Sequence, residues 1–211
     1  MPLVLFSGYL EGVMSSLKES LYSAINVTMP LDLSTQLGRH ACVALILRGN
    51  SLENLELGYI QRAFSDSDRW SGQLAFPGGK REDSDKTDLD AALRETLEEV
   101  GIDLTNPELL GRLNDIQARK AGTMLDFYIR PFVFFTERNF NIVLDKTEVA
   151  DFFWVPLKEI QNPQRVTTYR LQRENIGLEL PAVYLDREPP LWGLSYMMTL
   201  NLLEVLAAAN K

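Results

Sequence analysis

Three glutamates follow an arginine within one short acidic run of the chain. Arg94 and Glu95 are adjacent, and Glu98 and Glu99 stand three and four residues beyond Glu95. Side chains at these spacings lie on the same side of an α-helix and repel one another when they carry like charges. We therefore expect a helix with three carboxylates on one exposed face. Mg²⁺ prefers oxygen ligands and bridges carboxylates to phosphate oxygens, so the spacing predicts a site for Mg²⁺ or Mn²⁺.

The residues around this run predict where the helix begins and ends. Thr87 and Asp90 have the spacing of a capping box, in which two side chains satisfy backbone N–H groups reciprocally. Gly101 supplies the left-handed residue that commonly ends a helix. Before the helix, Gly78 and Gly79 form a predicted tight turn. The acidic helix is thus expected to follow directly on a glycine turn.

A solvated helix face is the main alternative for such a run, because ordinary amphipathic helices expose their charged residues. The flanking residues favour a functional site instead. The pattern resembles the Nudix box of the Nudix hydrolase family, and the resemblance rests on Gly79, Arg94, Glu95, Glu98, Glu99, Gly101 and Ile102. The interval from Gly79 to Arg94 is one residue longer than in the general box. With Phe76-Pro77-Gly78-Gly79 before it, this interval resembles the coenzyme A pyrophosphatase branch.

Some positions depart from the family pattern. Asp85 stands where the box has its first glutamate, and Thr96 replaces an aliphatic residue. In the coenzyme A branch three residues separate an upstream arginine from the glycine that precedes the box. Only two separate Arg69 from Gly72 here, and the threonine-rich element expected upstream is not evident.

The resemblance implies an α/β fold, a Nudix-type α/β/α sandwich with a mixed central sheet. It also implies Mg²⁺- or Mn²⁺-dependent hydrolysis of a nucleoside diphosphate linked to another moiety, giving two monophosphate products. Glu95, Glu98, Glu99 and the Gly79 carbonyl would hold the metal, and Arg94 would orient the carboxylates.

Two further roles are expected of residues inside and outside the box. Glu98 or the loop residue Glu148 would accept a proton from the attacking water. For substrate binding we expect contacts from Arg69, Gly78 and Lys80.

The group attached to the diphosphate is open at this point. Coenzyme A is favoured, and nucleoside triphosphates and nucleotide sugars are close alternatives. A noncatalytic nucleotide-binding module is a third hypothesis. Isomerases of short isoprenoid diphosphates share a similar fold, but that resemblance should bring a catalytic cysteine and further histidines. The chain has one Cys and one His.

Composition limits the class of protein. The chain has 211 residues, 45% of them hydrophobic, and a formal net charge of −8. It can therefore bury a substantial core, and its charge argues against a nucleic-acid-binding surface, which needs basic patches. Cys42 lies in an apolar run and is expected in the core. His40, which precedes that run, is expected at the surface where the strand begins.

The order of elements predicts one main domain. Residues 9–25 have apolar positions at helical spacing, so we divide the chain into an N-terminal helical extension, 1–30, and a Nudix domain, 31–211. A last apolar helix is predicted over about 192–209, and Asn201 and Glu204 within it argue against a membrane span. We expect a cytoplasmic enzyme without membrane contact, and the sequence leaves a homodimer open.

Overall fold

In a computed structural model of the chain, residues 17–65, 70–104, 108–120, 123–173 and 176–208 are described. The helices are α1 (17–25), α2 (Asp88–Val100), α3 (Leu157–Ile160) and α4 (Gly193–Ala208). The strands are β1 (His40–Arg48), β2 (Glu56–Arg62), β3 (Leu74–Ala75), β4 (Gly78–Lys80), β5 (Leu109–Arg112), β6 (Ile116–Lys120), β7 (Thr123–Phe135), β8 (Val149–Pro156), β9 (Val166–Arg173), β10 (Ile176–Val183) and β11 (Leu191–Trp192). Single-turn 3-10 helices span Leu52–Asn54 and Pro163–Arg165.

The main sheet is mixed. Its strands follow the order β3-β2-β1-β7-β5, with β4 paired to β1, β6 to β7 and β8 to β2. β1 and β7 run parallel, whereas β1 is antiparallel to both β2 and β4. A smaller antiparallel sheet has the order β11-β10-β9.

The central strand β1 is buried on both of its faces, which explains its continuous apolar sequence. Alternate residues point to opposite sides of a strand. Cys42, Ala44 and Ile46 belong to one core cluster together with Ala91, Ala92 and Val100 of α2. The intervening residues Val43, Leu45 and Leu47 belong to a second cluster, which includes Leu17 and Leu21 of α1 and Met198 and Leu202 of α4. Helices thus cover both faces of a mixed sheet, which confirms the predicted α/β/α sandwich.

The helix α2 has the predicted ends. Thr87 and Asp90 form a complete capping box, and the side-chain oxygen of Thr87 accepts from the Asp90 N–H. Gly101 adopts a left-handed conformation with φ 71°, and its N–H donates to the Leu97 carbonyl. The local sequence therefore sets both ends of this helix.

Charged residues fix the start of α2 to the sheet. Arg130 of β7 pairs with Asp88 at the first turn of α2, at 2.7 Å, and with the buried Asp115, also at 2.7 Å. His40 lies 3.0 Å from Asp88 and its ring stacks on Tyr128. The expectation of a surface histidine is therefore wrong, because the ring is held between a carboxylate and an aromatic ring. Cys42 is fully buried, as predicted, and burial raises the pKa of its thiol to about 12.

The terminal helices pack on the same face of the sheet. Residues 17–25 of the predicted N-terminal helix are helical, and residues 1–16 lie outside the described part of the chain. The division of the chain at residue 30 stays a prediction. No helix within the described ranges is long and apolar enough to cross a membrane.

One buried hydrogen bond joins α4 to the sheet. The Tyr59 hydroxyl lies 2.8 Å from the Thr199 Oγ1, and Thr199 itself donates to the Ser195 carbonyl. Tyr59 and Thr199 are fully buried. Because Thr199 already donates its proton, Tyr59 must donate to Thr199.

We predict that Thr199→Val lowers the free energy of unfolding by about 1–3 kcal/mol, because it leaves the Tyr59 hydroxyl buried without an acceptor. Tyr59→Phe should cost less, since Thr199 keeps its own acceptor. The double variant should be more stable than Thr199→Val alone. Urea denaturation measures all three, and equal losses in the two single variants would contradict this role.

Candidate active site

The glycine turn lies directly against the acidic helix. Gly78 and Gly79 form part of β4, which pairs with β1 through Val43 and Cys42. Gly78 has φ 145°, and a side chain there would collide with the backbone of Cys42. A side chain at Gly79 would overlap the Glu95 carboxylate. Gly78 is therefore required by close approach, and the absence of a side chain at Gly79 leaves its backbone directly beside a carboxylate.

Arg94 connects the turn, the intervening loop and the helix. Its Nε and Nη2 donate to the two oxygens of Asp85 at 3.1 and 3.0 Å, and Nη2 also donates to the Lys80 carbonyl. Its Nη1 lies 3.1 Å from Glu95 and 2.9 Å from Glu98. Paired guanidinium–carboxylate bonds of this kind fix the orientation of the two side chains and also contribute binding energy. Arg94 therefore holds two of the three glutamates at fixed positions.

The three glutamates do not share one exposed face as expected. Glu98 is exposed, Glu95 is partly buried, and Glu99 retains only 3% of its accessible surface. The reason lies in the packing of α2, which turns Thr96 and Glu99 toward the sheet and leaves Leu97 half exposed. The carboxylates instead form a row that leads from solvent into the protein.

Glu99 is the deepest carboxylate of the row. One of its oxygens accepts the Gly78 N–H at 2.8 Å. Burial raises the pKa of Glu99 from 4.5 to about 8, although the Gly78 hydrogen bond opposes this rise, and the nearby charges of Glu95 and Glu148 add to it. In the described part of the chain, no lysine or arginine forms an ion pair with Glu99 within 4.0 Å. An ionised carboxylate in this position is unfavourable without a cation.

Glu148 lies in the loop before β8 and faces the same centre. Its side chain is exposed, and its charge raises the pKa of both Glu95 and Glu99. The backbone fixes this loop, because Ala63 N–H donates to the Glu148 carbonyl at 2.7 Å. The fold therefore gathers Glu148, distant in sequence, with Glu95 and Glu99.

The residues predicted to contact substrate have different surroundings. Arg69 lies outside the described residues. The Gly78 N–H is occupied by Glu99, and the Lys80 side chain is exposed at the end of β4 while its carbonyl is held by Arg94. Their roles toward a substrate stay predictions.

Two residues of this centre were not assigned a role from the sequence. Asp85, noted only as a departure from the family pattern, is 6% exposed and forms the main ion pair of Arg94, which holds the pKa of Asp85 below its usual value. Its position in the box was the signal for that role. Arg62, at the end of β2, lowers the pKa of Glu99. No local motif marks Arg62, since only strand pairing brings it close.

A second group of potential metal ligands comprises His40, Cys42 and Asp88, whose ligand atoms lie within 4.8 Å of one another. Both oxygens of Asp88 are already engaged, one by His40 and the other by Arg130. Burial keeps the Cys42 thiol protonated. This group therefore stabilises the start of α2 and does not suit a hard cation.

Comparison with protein-family models matches residues 38–173 to the NUDIX domain. The match covers more than half of the chain. The chain belongs to the Nudix family. Its Nudix box comprises the glycine turn, Arg94 and the row of glutamates.

Known Nudix proteins and related chains share this region. An uncharacterized protein of Schizosaccharomyces pombe is 38% identical over 115 residues, which are 53% of this chain and 35% of the relative. Nudix hydrolase 3 of Caenorhabditis elegans is 31% identical over 150 residues, 64% of this chain and 60% of the relative. The chain thus spans less than two thirds of the length of these relatives.

A solved structure supports the fold. The MutT/nudix family protein of Enterococcus faecalis is similar with a TM-score of 0.50 and 18% identity, over 85% of this chain and 63% of that one. At this level of identity the similarity shows the fold alone.

The Nudix box of this chain fits a hard divalent cation. The donors are carboxylate oxygens, the ligand type that Mg²⁺ and Mn²⁺ prefer. The space above the Gly79 backbone that a side chain would fill is occupied by the Glu95 carboxylate. Beside it, Glu99 offers a buried carboxylate whose ionised form lacks a paired cation among the described residues. A bound divalent cation would offset the repulsion between these carboxylates and the cost of ionising the buried one.

We predict that Glu99→Gln stabilises the metal-free protein at pH 8.5 by roughly 5 kcal/mol, because it removes the cost of ionising a buried carboxyl group. Glutamine keeps an acceptor for the Gly78 N–H. The folded pKa is raised, so the destabilisation appears as the pH rises from 4.5 toward 8. The stability difference between Glu99→Gln and the wild type should therefore nearly vanish at pH 4.5.

Thermal unfolding with a chelator, and then with Mn²⁺, measures this effect. Mn²⁺ should raise the Tm of the wild-type protein at pH 8.5 and have a much smaller effect on Glu99→Gln. Glu53→Gln, an exposed control between β1 and β2, should respond to Mn²⁺ as the wild type does. An equal Mn²⁺ response in Glu99→Gln would remove Glu99 from the metal site.

Proposed function

We propose that the protein is a Mg²⁺- or Mn²⁺-dependent pyrophosphohydrolase that cleaves a nucleoside diphosphate linked to another moiety into two monophosphates. The row formed by Glu98, Glu95 and the buried Glu99 carries this proposal. Membership of the Nudix family supports it, since the complete set of box carboxylates and the arginine is present in this chain. A module that only binds nucleotides would not need all of them.

The first proposed role is that of the metal ligands. Glu95, Glu98 and Glu99 would hold the cation, and the Gly79 carbonyl would complete the protein's share of the coordination. The bound cation would neutralise charge on the phosphate oxygens and lower the pKa of a coordinated water. Arg94 would not contact the reacting atoms. It would keep Glu95 and Glu98 in place through the ion pairs that it already makes.

A general base must also accept a proton from the attacking water. Glu148 and Glu98 are the candidates, because both are exposed and lie at the open end of the carboxylate row. Glu98 accepts a hydrogen bond from Arg94 at 2.9 Å and is already assigned to the metal. Glu148 lies outside the box and is not one of the proposed metal ligands, so we assign the base to Glu148.

Coenzyme A is the substrate that we favour. The Phe76-Pro77-Gly78-Gly79 motif and the long interval to Arg94 support it. Nucleotide sugars and nucleoside triphosphates are the alternatives. The acidic net charge of −8 supports a small-molecule substrate that reaches the site with its cation, without a nucleic-acid partner. We further propose that 31–211 is the catalytic domain and that 1–30 is its helical extension.

A panel of coenzyme A, ADP-ribose, a nucleotide sugar and a nucleoside triphosphate tests the activity. We predict that, with Mg²⁺ or Mn²⁺, at least one diphosphate derivative is cleaved to two monophosphates, and that a chelator abolishes cleavage. Chromatography of the products measures the reaction. Cleavage of coenzyme A to 3′,5′-ADP and 4′-phosphopantetheine, with the other compounds intact, would establish the substrate. No cleavage of any compound would contradict the proposed activity.

We predict different kinetic effects for Glu98→Gln and Glu148→Gln. Glu148→Gln should lower kcat by about 10²–10⁴-fold, the usual contribution of a general base, and leave the Mn²⁺ affinity unchanged. Glu98→Gln should weaken Mn²⁺ binding and abolish turnover. Glu53→Gln again serves as an exposed control. A normal kcat in Glu148→Gln would exclude it as the base, and normal activity in Glu98→Gln would exclude the metal assignment.

A further inference from the structure

Phe64, an exposed aromatic residue, lies just beyond the end of β2, the strand that carries Arg62 near the acidic centre. Ile60 of β2 packs in the core cluster beneath α2. Two residues later, the Arg62 charge acts on Glu99. Phe64 lies two residues beyond Arg62, just past the end of β2, where the pairing of β2 with β8 shifts register between Gln61 and Arg62.

The extended pairing continues past the end of β2. Ala63 N–H donates to the Glu148 carbonyl at 2.7 Å, and Arg62 N–H donates to the Gln73 carbonyl at 3.0 Å. On the other side of Phe64, Ser65 N–H donates to the Ser71 hydroxyl at 2.8 Å. A strand rises about 3.3 Å per residue, which places the Phe64 backbone about 7 Å beyond Arg62. Phe64 thus stands at the rim of the carboxylate centre, next to the loop that carries Glu148.

The Phe64 ring is exposed but supported from one side. It keeps 75% of its accessible surface. A Cβ at position 72 would lie 2.5 Å from the ring Cε1, and Gly72 has φ 71°. The ring therefore rests on a glycine with a conformation that other residues rarely adopt. The opposite arm of the same loop carries a second exposed aromatic residue, Trp70. Large exposed aromatic faces beside a polar centre are typical of ligand-binding sites.

We propose that Phe64 is the platform on which the planar base of the substrate stacks. This inference rests on the proposed function. A nucleoside diphosphate derivative has an anionic diphosphate and an uncharged planar base, and the two ends need different surroundings. The carboxylate centre and its cation would take the diphosphate. The Phe64 face takes the base, because any nucleobase offers a π-face for stacking.

Stacking also accounts for recognition by an acidic protein. A site that held the nucleotide by charge alone would need several lysines or arginines, whereas this chain has a net charge of −8. An aromatic platform adds affinity without positive charge. Phe64 is therefore a specificity-determining residue that favours substrates with a base over diphosphates without one.

Equilibrium titrations with AMP and with ribose 5-phosphate test the inference apart from turnover. Both probes carry the same sugar phosphate, and only AMP has a base. Phe64→Ala should weaken AMP binding about tenfold, the size of one base–aromatic stack, and leave ribose 5-phosphate binding unchanged. Phe64→Tyr should retain AMP affinity, and Phe64→Leu, which is apolar but has no ring, should lose it. Tyr22→Ala removes an exposed aromatic residue of α1 and should bind AMP as the wild type does.

The contact with Gly72 gives a second test. Gly72→Ala should displace the ring and weaken AMP binding in the wild-type background. In the Phe64→Ala background the same substitution should have no further effect on AMP binding, because the ring is already gone.

Failure of this inference differs from failure of the proposed function. Equal AMP affinity in wild type and Phe64→Ala, or wild-type AMP binding no tighter than that of ribose 5-phosphate, overturns the stacking role. If the diphosphate panel gives no cleavage while Phe64→Ala still weakens AMP binding, the base platform stands and the hydrolase proposal fails. If cleavage occurs, Phe64→Ala should raise KM about tenfold at an unchanged kcat.

Discussion

The hydrogen bond from Gly78 N–H to the buried Glu99 carboxylate is the constraint on which the site depends. It joins β4 to α2 and adds to the core packing that turns Glu99 toward the sheet. A side chain at Gly78 would collide with the backbone of Cys42 in β1, and one at Gly79 would overlap the Glu95 carboxylate. The two glycines thus allow β4 to approach β1 and the Glu95 carboxylate to approach the turn. The position of Glu95 beside the Gly79 backbone follows from that approach.

This arrangement concentrates negative charge where burial makes charge unfavourable. The Arg94 guanidinium donates to both oxygens of Asp85 and reaches only Glu95 and Glu98 among the box glutamates. Burial therefore raises the pKa of Glu99, and the charges of Glu95 and Glu148 add to the rise. A divalent cation would offset this repulsion more completely than a protein side chain could. The electrostatics and the Nudix membership thus support the same proposed chemistry from independent observations.

The charged network at the start of α2 serves a different purpose. Arg130, Asp88, Asp115 and His40 satisfy one another with short contacts. Arg112 also pairs with Asp115 and Arg81 lies 3.5 Å from Asp88, so each acid has an arginine partner and the network positions the helix that carries the box. The contrast with the carboxylate row, which has an excess of acid, separates a structural cluster from a candidate functional one on electrostatic grounds alone.

The sequence by itself determined the ends of α2, the fold class and the family. Thr87, Asp90 and Gly101 act through contacts within a few residues, and the apolar run of β1 reflects burial on both faces, so their patterns are readable without coordinates. The tertiary structure decided which side of α2 is buried. Glu99 and Thr96 turn inward because α2 packs that side against the sheet, whereas helical periodicity alone placed Glu99 on an exposed face. Only the fold could bring Arg62 and Glu148 to the box and Phe64 beside the Glu148 loop, since strand pairing between distant segments sets their positions and no local spacing encodes it.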